Sequence, residues 1–494
     1  MSFSSVRTRF APSPTGFMHV GNLRTALYAY LLAKSQGGKF ILRIEDTDQN
    51  RFVKGATEVI YKTLAAAGLL HDEGPDKDGG FGPYIQSQRK SLYMKYALEL
   101  IEKGAAYYCF CDKTDEETDD HHENEISEKS EINGYDGRCS RLPQAEIQAN
   151  LAAGKPFVIR QKIDKSGETS FSDSVFGEIT IANKVLDDQI LIKRDGLPTY
   201  NFANVVDDHL MEISHVVRGA EYLPSTPKYN LLYQSFGWDI PTYVHLPLIM
   251  GRGADGSIAK LSKRHGSVSF ENLTAEGYLP DAIINYIALL GWSPKSEREI
   301  FTLQELVEAF NLSGLNKSAA VFDYTKLKWM NGEYVKSLPL ADFITQAAPF
   351  AKLDDSPLQN RWPEIAELLH SRVALYKDIP EMIEFLRKLP DYSLELYTHK
   401  KNKSTPGSAL TILQAILPEF EALQQWNRTE IEQLVCAYAE RNAIKLGPLM
   451  WPVRIAVSGL AITPGGAIEI MDILGKQESI ARLKAAIARL QEIQ

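Results

Sequence analysis

The chain has 494 residues, 44% apolar and 24% charged. That is a soluble globular composition, and at about 100–200 residues per domain it makes roughly three to five domains. The 54 basic and 63 acidic residues sum to −9, which excludes retention on nucleic acid by overall charge but leaves room for a local basic groove. Ten carboxylates and two lysines between Asp112 and Glu131 carry −8 of that sum, so the remainder is nearly neutral. Four cysteines do not make a disulfide scaffold in a chain this long. No apolar run approaches the 18 or so residues of a membrane helix, and Met1 to Phe10 lacks the apolar core of a signal peptide. The expected setting is the cytoplasm, without a membrane partner.

Val6, Thr8 and Phe10 predict a short strand. Ala11 to Gly16 must be a loop, because two prolines and a glycine exclude regular structure. Leu23, Ala26, Leu27, Tyr30 and Leu31 fall on one helical face, and Gly37-Gly38 ends that helix. Phe40 to Ile44 reads as a second strand. Strand, loop, helix and strand make a βαβ unit, which implies a parallel sheet with ligands at the strand carboxyl ends. From Ile190 to Ile249, short apolar runs (Ile190 to Ile192, Val205-Val206, His215 to Val217, Val244 to Ile249) stand between helical stretches. They read as the other half of the same α/β domain, with Tyr107 to Asp188 inserted between the halves. After about residue 275 helical patterns dominate, among them Ala282 to Leu290, Leu303 to Phe310, Trp362 to Val373, Ile379 to Leu389, Leu410 to Leu423, Glu430 to Arg441 and Ser479 to Gln491.

Four constellations, the third with Arg9 and Arg218 as further candidates, could carry chemistry. His19-Val20-Gly21-Asn22 opens a helix just beyond a strand, where unpaired N–H groups and the helix dipole favour phosphate. Lys260 and Lys263 stand three apart on a glycine-flanked loop and could stabilise charge on phosphate oxygens. The alternative is a solvated basic loop. Arg43-Ile-Glu45-Asp46-Thr-Asp48 follows the second strand, where an acid could hold an amine or a ribose hydroxyl, or simply cap a helix. Arg9 and Arg218, at strand ends, could bind a carboxylate bidentately or serve as structural ion pairs. Cys109, Cys111 and Cys139 suggest zinc, with His121 and His122 between them, and reduced metal-free thiols as the alternative.

Taken together, Ala11-Pro-Ser-Pro-Thr-Gly16 leading to His19-Val-Gly-Asn22, Arg43-Ile-Glu-Asp-Thr-Asp48 and Lys260-Leu-Ser-Lys-Arg264 resemble the bacterial glutamyl-tRNA synthetases, class I aminoacyl-tRNA synthetases. The resemblance continues through Leu197 to His209, Arg218 to Tyr222 and Lys328 to Asn331, and covers nearly the whole chain in order. It implies a Rossmann-like parallel-sheet catalytic domain of the α/β class with an α+β insertion, followed by an all-α anticodon-binding region. The implied boundaries are 1–106 and 189–250 for the two catalytic halves and 107–188 for an acceptor-end-binding insertion. A mobile lysine loop with a stem-contact domain would span 251–335, and the helical anticodon-binding domain 336–494.

The implied reaction is ATP-dependent activation of L-glutamate and its transfer to the terminal adenosine of tRNA-Glu, with tRNA-Gln as a second candidate. Magnesium would accompany ATP, and a monomer would be expected. By the resemblance His19, Lys260 and Lys263 are the catalytic residues. ATP binding falls to His19, Gly21, Asn22, Glu221, Tyr222, Leu261 and Lys263. Arg9, Ala11, Ser13, Glu45, Tyr200, Asn204 and Arg218 match the glutamate pocket, and Arg372 a contact to the anticodon. The motif usually written His-Ile-Gly-His ends here in Asn22, which keeps hydrogen-bonding capacity without the second imidazole. In zinc-containing members the fourth ligand lies two residues after the third cysteine. That position is Arg141, which cannot ligate, so a zinc held by Cys109, Cys111 and Cys139 would need His121 or His122.

A glutaminyl-tRNA synthetase is the nearest alternative, but those typically end in β-barrels. A dinucleotide-dependent oxidoreductase would need G-x-G-x-x-G at the first turn, and a non-catalytic tRNA-binding protein would have no use for two lysines on one loop. The acidic run Asp112 to Glu131 is expected to be a solvent-facing excursion pointing away from RNA, since like charges repel.

Overall fold

β-Branched and aromatic residues open the chain, and Arg7–Phe10 forms strand β1, buried along its whole length. The computed structural model describes residues 5–48, 53–111, 135–253, 255–262, 265–266, 268–354 and 356–492. The acidic run, His121, His122 and Lys263 lie outside the described residues. Helix α1, Val20–Ser35, and strand β2, Lys39–Leu42, complete the first βαβ unit. Helices α2, Ala56–Ala66, and α3, Lys90–Glu102, precede strand β3, Ala106–Cys109. Then come α4, Gln144–Ala152, and strands β4, Val158–Gln161, β5, Glu168–Asp173, β6, Gly177–Ala182, and β7, Ile190–Ile192. Helix α5, Tyr200–Leu210, strand β8, His215–Gly219, helix α6, Thr226–Phe236, and strand β9, Thr242–Leu246, follow.

The main sheet has six strands in the order β2-β1-β8-β9-β5-β6. β1 pairs in parallel with both β2 and β8, β8 with β9, and β9 with β5, while β6 runs antiparallel to β5 at the edge. The chain leaves β1 toward β2 on one side and returns as β8 on the other, so the order reverses at β1. In an open α/β sheet that reversal opens a crevice beyond the strand carboxyl ends. Two features differ from what the sequence suggests. Val205-Val206 lies inside α5, where Phe202 to Asp208 are all buried; taken as a pair they fit a strand, whereas Phe202, Val205, Val206 and Leu210 recur at helical spacing. Ile190–Ile192 pairs with β4, which pairs with β3, in a separate three-stranded antiparallel sheet. The β5–β6 hairpin, by contrast, extends the main sheet.

A third, small sheet is built from β10, Ile249–Arg252, its antiparallel partner β11, Ile258–Lys260, and β12, Ala320–Val321. The chain continues through α7, Phe270–Ala275, α8, Pro280–Ala288, α9, Leu303–Ala309, and α10, Tyr324–Ser337. The remaining helices are α11, Leu340–Ala351, α12, Trp362–His370, α13, Ile379–Arg387, α14, Pro406–Ala422, α15, Arg428–Arg441, α16, Leu446–Ser458, and α17, Ala467–Gln491. The chain divides into two compact units, Met1–Leu273 with Ile283–Tyr324, and Thr274–Ala282 with Thr325–Gln494.

The second unit is helical, as the apolar spacing predicts. Thr405 caps α14 reciprocally with Ser408, and Pro406 occupies the first turn, where its missing N–H costs nothing. Leu413, Ile416 and Phe420 of α14 and Leu483, Ala486 and Leu490 of α17 enter one core. The Arg482 guanidinium is buried at the last turns of two helices. Nη1 donates to Phe385 O at 2.7 Å and Val457 O at 2.8 Å, and Nη2 to Leu386 O at 3.3 Å. These carbonyls have no helical partner, and a cation suits the negative end of the dipole. No helix among the described residues is long and apolar enough to cross a membrane.

Candidate active site

The carboxyl ends of β1, β2, β8 and β9 gather the polar residues of the first unit. The loop after β1 is pinned to the chain leaving β2: Arg43 N donates to Phe10 O at 3.0 Å and Glu45 N to Pro12 O at 3.1 Å. Ala11 and Ser13, on that loop, are half-buried. Four buried arginines converge here. Arg9 Nε donates to Asp208 Oδ1 at 3.0 Å and its Nη1 to Val217 O at 3.3 Å. Arg43 Nη1 donates to Asp208 Oδ1 at 2.7 Å and Nη2 to Glu45 Oε1 at 3.0 Å. Arg89 Nε donates to Asp207 Oδ1 at 2.7 Å. Tyr93 Oη and Gln86 Nε2 donate to the other oxygen of Asp207, at 2.8 and 2.9 Å.

Three carboxylates thus answer three guanidiniums. Arg218 is the exception, since no described carboxylate pairs with it. Its Nε donates to His245 Nε2 at 3.0 Å and Nη2 to Thr226 Oγ1 at 2.9 Å. The rings of Tyr229, Tyr222 and Tyr243 lie 4.7, 5.3 and 5.3 Å from the guanidinium carbon. Aromatic faces soften the burial of a cation, but a buried charge without a counter-ion still costs several kcal/mol. A cation in this state could pair with an incoming carboxylate. Tyr200 packs on Tyr222 with centroids 5.4 Å apart, and Asn204 Nδ2 donates to Tyr200 O at 2.8 Å. Burial pushes the Glu45 carboxyl up to about 7, against the pull of Arg43 and Arg9.

Beside this pocket His19 caps α1, and its Nδ1 accepts from Gly21 N at 3.0 Å. The proton of the neutral imidazole therefore sits on Nε2, where it can donate to a phosphate oxygen. The stretch before α1 pairs with the stretch before α7: Val20 N donates to Val268 O at 2.8 Å and Phe270 N to Met18 O at 3.2 Å. The lysine loop accordingly ends against the His19 segment. Lys260 is exposed on β11 and Leu261 is buried, its N–H donating to Ile249 O at 3.0 Å. The loop folds closely over β10, for a Cβ at Gly251 would come within 2.5 Å of the His265 ring. Asn22 and Glu221 are exposed. Arg372 is exposed in the turn after α12, in the second unit.

The thiols of Cys109, Cys111 and Cys139 lie within 4.8 Å of one another, the one such group of three potential metal ligands among the described residues. Tyr135 Oη lies 3.4 Å from Cys109 Sγ and 3.8 Å from Cys111 Sγ. Arg138 Nε donates to Cys111 Sγ at 3.0 Å. Burial pushes the Cys111 thiol up to about 11. For Cys139 hydrogen bonds, that of Tyr135 foremost, outweigh burial and bring it below the usual range. Three sulfurs and a phenol oxygen make a four-donor set of the size zinc requires. Tyr135, four residues before Cys139, is a neighbour of the thiols that counting cysteines and histidines does not bring up, and burial pushes its phenol up. Asp207, Asp208, Gln86, Arg89, Asp173 and His245 are further pocket residues that sequence reasoning does not single out. Two adjacent acids at the end of the apolar run Phe202 to Val206 are the available hint.

Comparison with known proteins places this geometry. Residues 5–329 match the family described as tRNA synthetases class I (E and Q), catalytic domain, and residues 342–487 match the anticodon binding domain. A glutamate–tRNA ligase of Clostridium novyi is 53% identical across 100% of this chain and 99% of its own. That of Clostridium kluyveri is 54% identical, covering 99% of both chains. The crystal structure of a glutamate tRNA ligase from Elizabethkingia meningosepticum in complex with its amino acid is 32% identical. It superposes with a TM-score of 0.83 over 99% of this chain and 100% of that one. The chain belongs to the class I tRNA synthetases for glutamate and glutamine, and within them to the glutamate–tRNA ligases.

Proposed function

We propose that the chain activates L-glutamate with ATP and transfers it to the 3′-terminal adenosine of tRNA-Glu. The observation that carries the choice of glutamate over glutamine is the buried Arg218, whose charge no described carboxylate answers. A neutral amide would leave that charge unpaired, at a cost that sites built for a specific polar group impose on the wrong ligand.

In this reading the side-chain carboxylate of glutamate meets Arg218, with Arg9 beside it. Its ammonium meets Glu45, and Tyr200, Asn204 and the loop backbone at Ala11 and Ser13 complete the pocket. The α-carboxylate oxygen attacks the α-phosphorus of ATP, the bond to pyrophosphate breaks, and glutamyl-adenylate forms. The 2′-hydroxyl of the tRNA then attacks the acyl carbon and AMP leaves. His19 Nε2–H and Lys260, with Lys263, answer charge on the phosphate oxygens as it grows, which is what accelerates the step. Gly21 and Asn22 at the start of α1, and Glu221, Tyr222 and Leu261, flank the nucleotide. Magnesium arrives on the ATP phosphates, as it does where phosphates are its main ligands.

The second unit would read the anticodon, with Arg372 as one contact. Three thiolates and the Tyr135 oxygen would hold a structural zinc that fixes the end of β3 against Tyr135 to Arg141. In this reading the protein is a cytoplasmic monomer. Charging assays with labelled glutamate on tRNA-Glu and tRNA-Gln test the proposal. Glutamylation of tRNA-Glu is expected, and glutamylation of tRNA-Gln would widen the substrate range. Labelling of neither would overturn it.

A further inference from the structure

Arg218 on β8 is not simply packed in place. It is aimed by a chain of buried side chains from other elements. Nε donates to His245 Nε2 on β9, and His245 Nδ1 lies 2.7 Å from Asp173 Oδ2 at the end of β5. The side chains of His245 and Asp173 are both 0% exposed. Arginine cannot give up its proton, so Nε2 of His245 must be a bare acceptor and the imidazole proton must sit on Nδ1. Asp173 accepts that proton and the backbone N–H of His245 at 3.1 Å. Asp173 is itself fixed, for its Oδ1 accepts from Val175 N and Phe176 N at 2.9 and 2.8 Å. Along the same edge of the guanidinium, 3.4 Å from His245 Nε2, Thr226 Oγ1 donates its hydroxyl proton to Tyr222 O at 2.8 Å, leaving a lone pair for Nη2. One tautomer of one histidine therefore satisfies the line from Asp173 through His245 to Arg218.

We propose that Asp173 and His245 are positioning residues that orient the Arg218 fork for a side-chain carboxylate and so set the preference for glutamate over glutamine. The proposal rests on Arg218 being the substrate-binding cation. Two tethers, at Nε and Nη2, leave the rest of the planar fork for an incoming pair of oxygens, the geometry that distinguishes a carboxylate from an amide. A guanidinium free to turn would lose that distinction before it lost its charge. Burial, with the cations Arg218 and Arg9 facing the imidazole, outweighs the raising pull of the anion Asp173 and holds His245 well below the usual range, at about 4. It is neutral at neutral pH.

The test compares His245→Gln, whose amide oxygen can replace Nε2 as acceptor, with His245→Leu, which offers none. In pyrophosphate exchange with tRNA present, His245→Leu is expected to raise KM for glutamate at least about tenfold while KM for ATP stays within about twofold. Its ratio of kcat/KM for glutamate over glutamine should fall, and His245→Gln should recover most of both. Equal losses in the two variants, or KM for ATP rising with that for glutamate, would overturn the proposal. The imidazole 15N shifts of the unaltered protein test it without relying on the folding of a variant. A neutral Nδ1–H tautomer supports the relay, and an Nε2–H tautomer rules it out. That reading needs no substrate, so a protein with the Nδ1–H tautomer but no glutamate-dependent exchange would refute the glutamate pocket and leave the relay geometry intact.

Discussion

Asp208 accepts a hydrogen bond from the Arg43 guanidinium at 2.7 Å, with both side chains buried. The same carboxylate takes Arg9 Nε, so one acid of α5 anchors arginines from β1 and from the exit of β2. Removing one member of a buried pair strands the other charge, which costs roughly 3–5 kcal/mol. Asp208→Asn keeps the shape and one acceptor. It is expected to destabilise the first unit by roughly 3 kcal/mol in urea unfolding, and to raise KM for glutamate through the loosened Arg9. An unchanged unfolding midpoint would show that Asp208 is not the anchor.

Glu45 gives the pocket a pH dependence. Burial raises its carboxyl to about 7, and only the ionised form can accept an ammonium group. The proton must leave before substrate binds, so kcat/KM for glutamate should fall about tenfold per pH unit below about pH 7 and level off above it. Glu45→Gln should flatten that limb and raise KM at every pH. A profile flat down to about pH 5 in the unaltered protein would place the titrating group elsewhere.

Arg482 is expected to matter for stability and not for chemistry. It satisfies carbonyls at the ends of α13 and α16, which Arg482→Leu would leave buried and unpaired at about 1–3 kcal/mol for each. The melting of the second unit, followed by the fluorescence of Trp426 and Trp451, should move to lower temperature. Glutamate-dependent exchange at low temperature should persist, and equal loss of both would contradict a purely structural role.

The first βαβ unit is legible from its punctuation, two prolines and a glycine before α1 and Gly37-Gly38 after it, because β1 is buried throughout and α1 mostly so. The helical second unit is legible because its apolar positions recur at helical spacing. The site is legible only in part. His19, Gly21 and the two lysines stand out because a glycine at a helix start and paired cations on a loop are unusual patterns. Asp208, Asp173 and His245 do not stand out, since a buried polar residue has no periodic signature. Its meaning comes from a partner far along the chain, 199 positions away for Arg9 and Asp208 and 72 for Asp173 and His245. Strand β7 is misread for a related reason. Three consecutive apolar residues fit any buried strand, and only the pairing with β4 decides which sheet receives it.

The cysteine cluster makes a prediction independent of catalysis. The purified protein should carry about one zinc per chain by elemental analysis. Cys111→Ser should abolish it, and Tyr135→Phe should weaken retention against a chelator. Metal retained in full by Cys111→Ser would show that the thiols are not the site.

Exchange of labelled pyrophosphate into ATP, with glutamate or glutamine and with or without tRNA-Glu, tests the substrate assignment most directly. Exchange that depends on glutamate, in the presence of tRNA-Glu, and is weak with glutamine at equal concentration is the expected result. Equal exchange with glutamine, or none with glutamate and tRNA together, would contradict the assignment of Arg218 to a carboxylate.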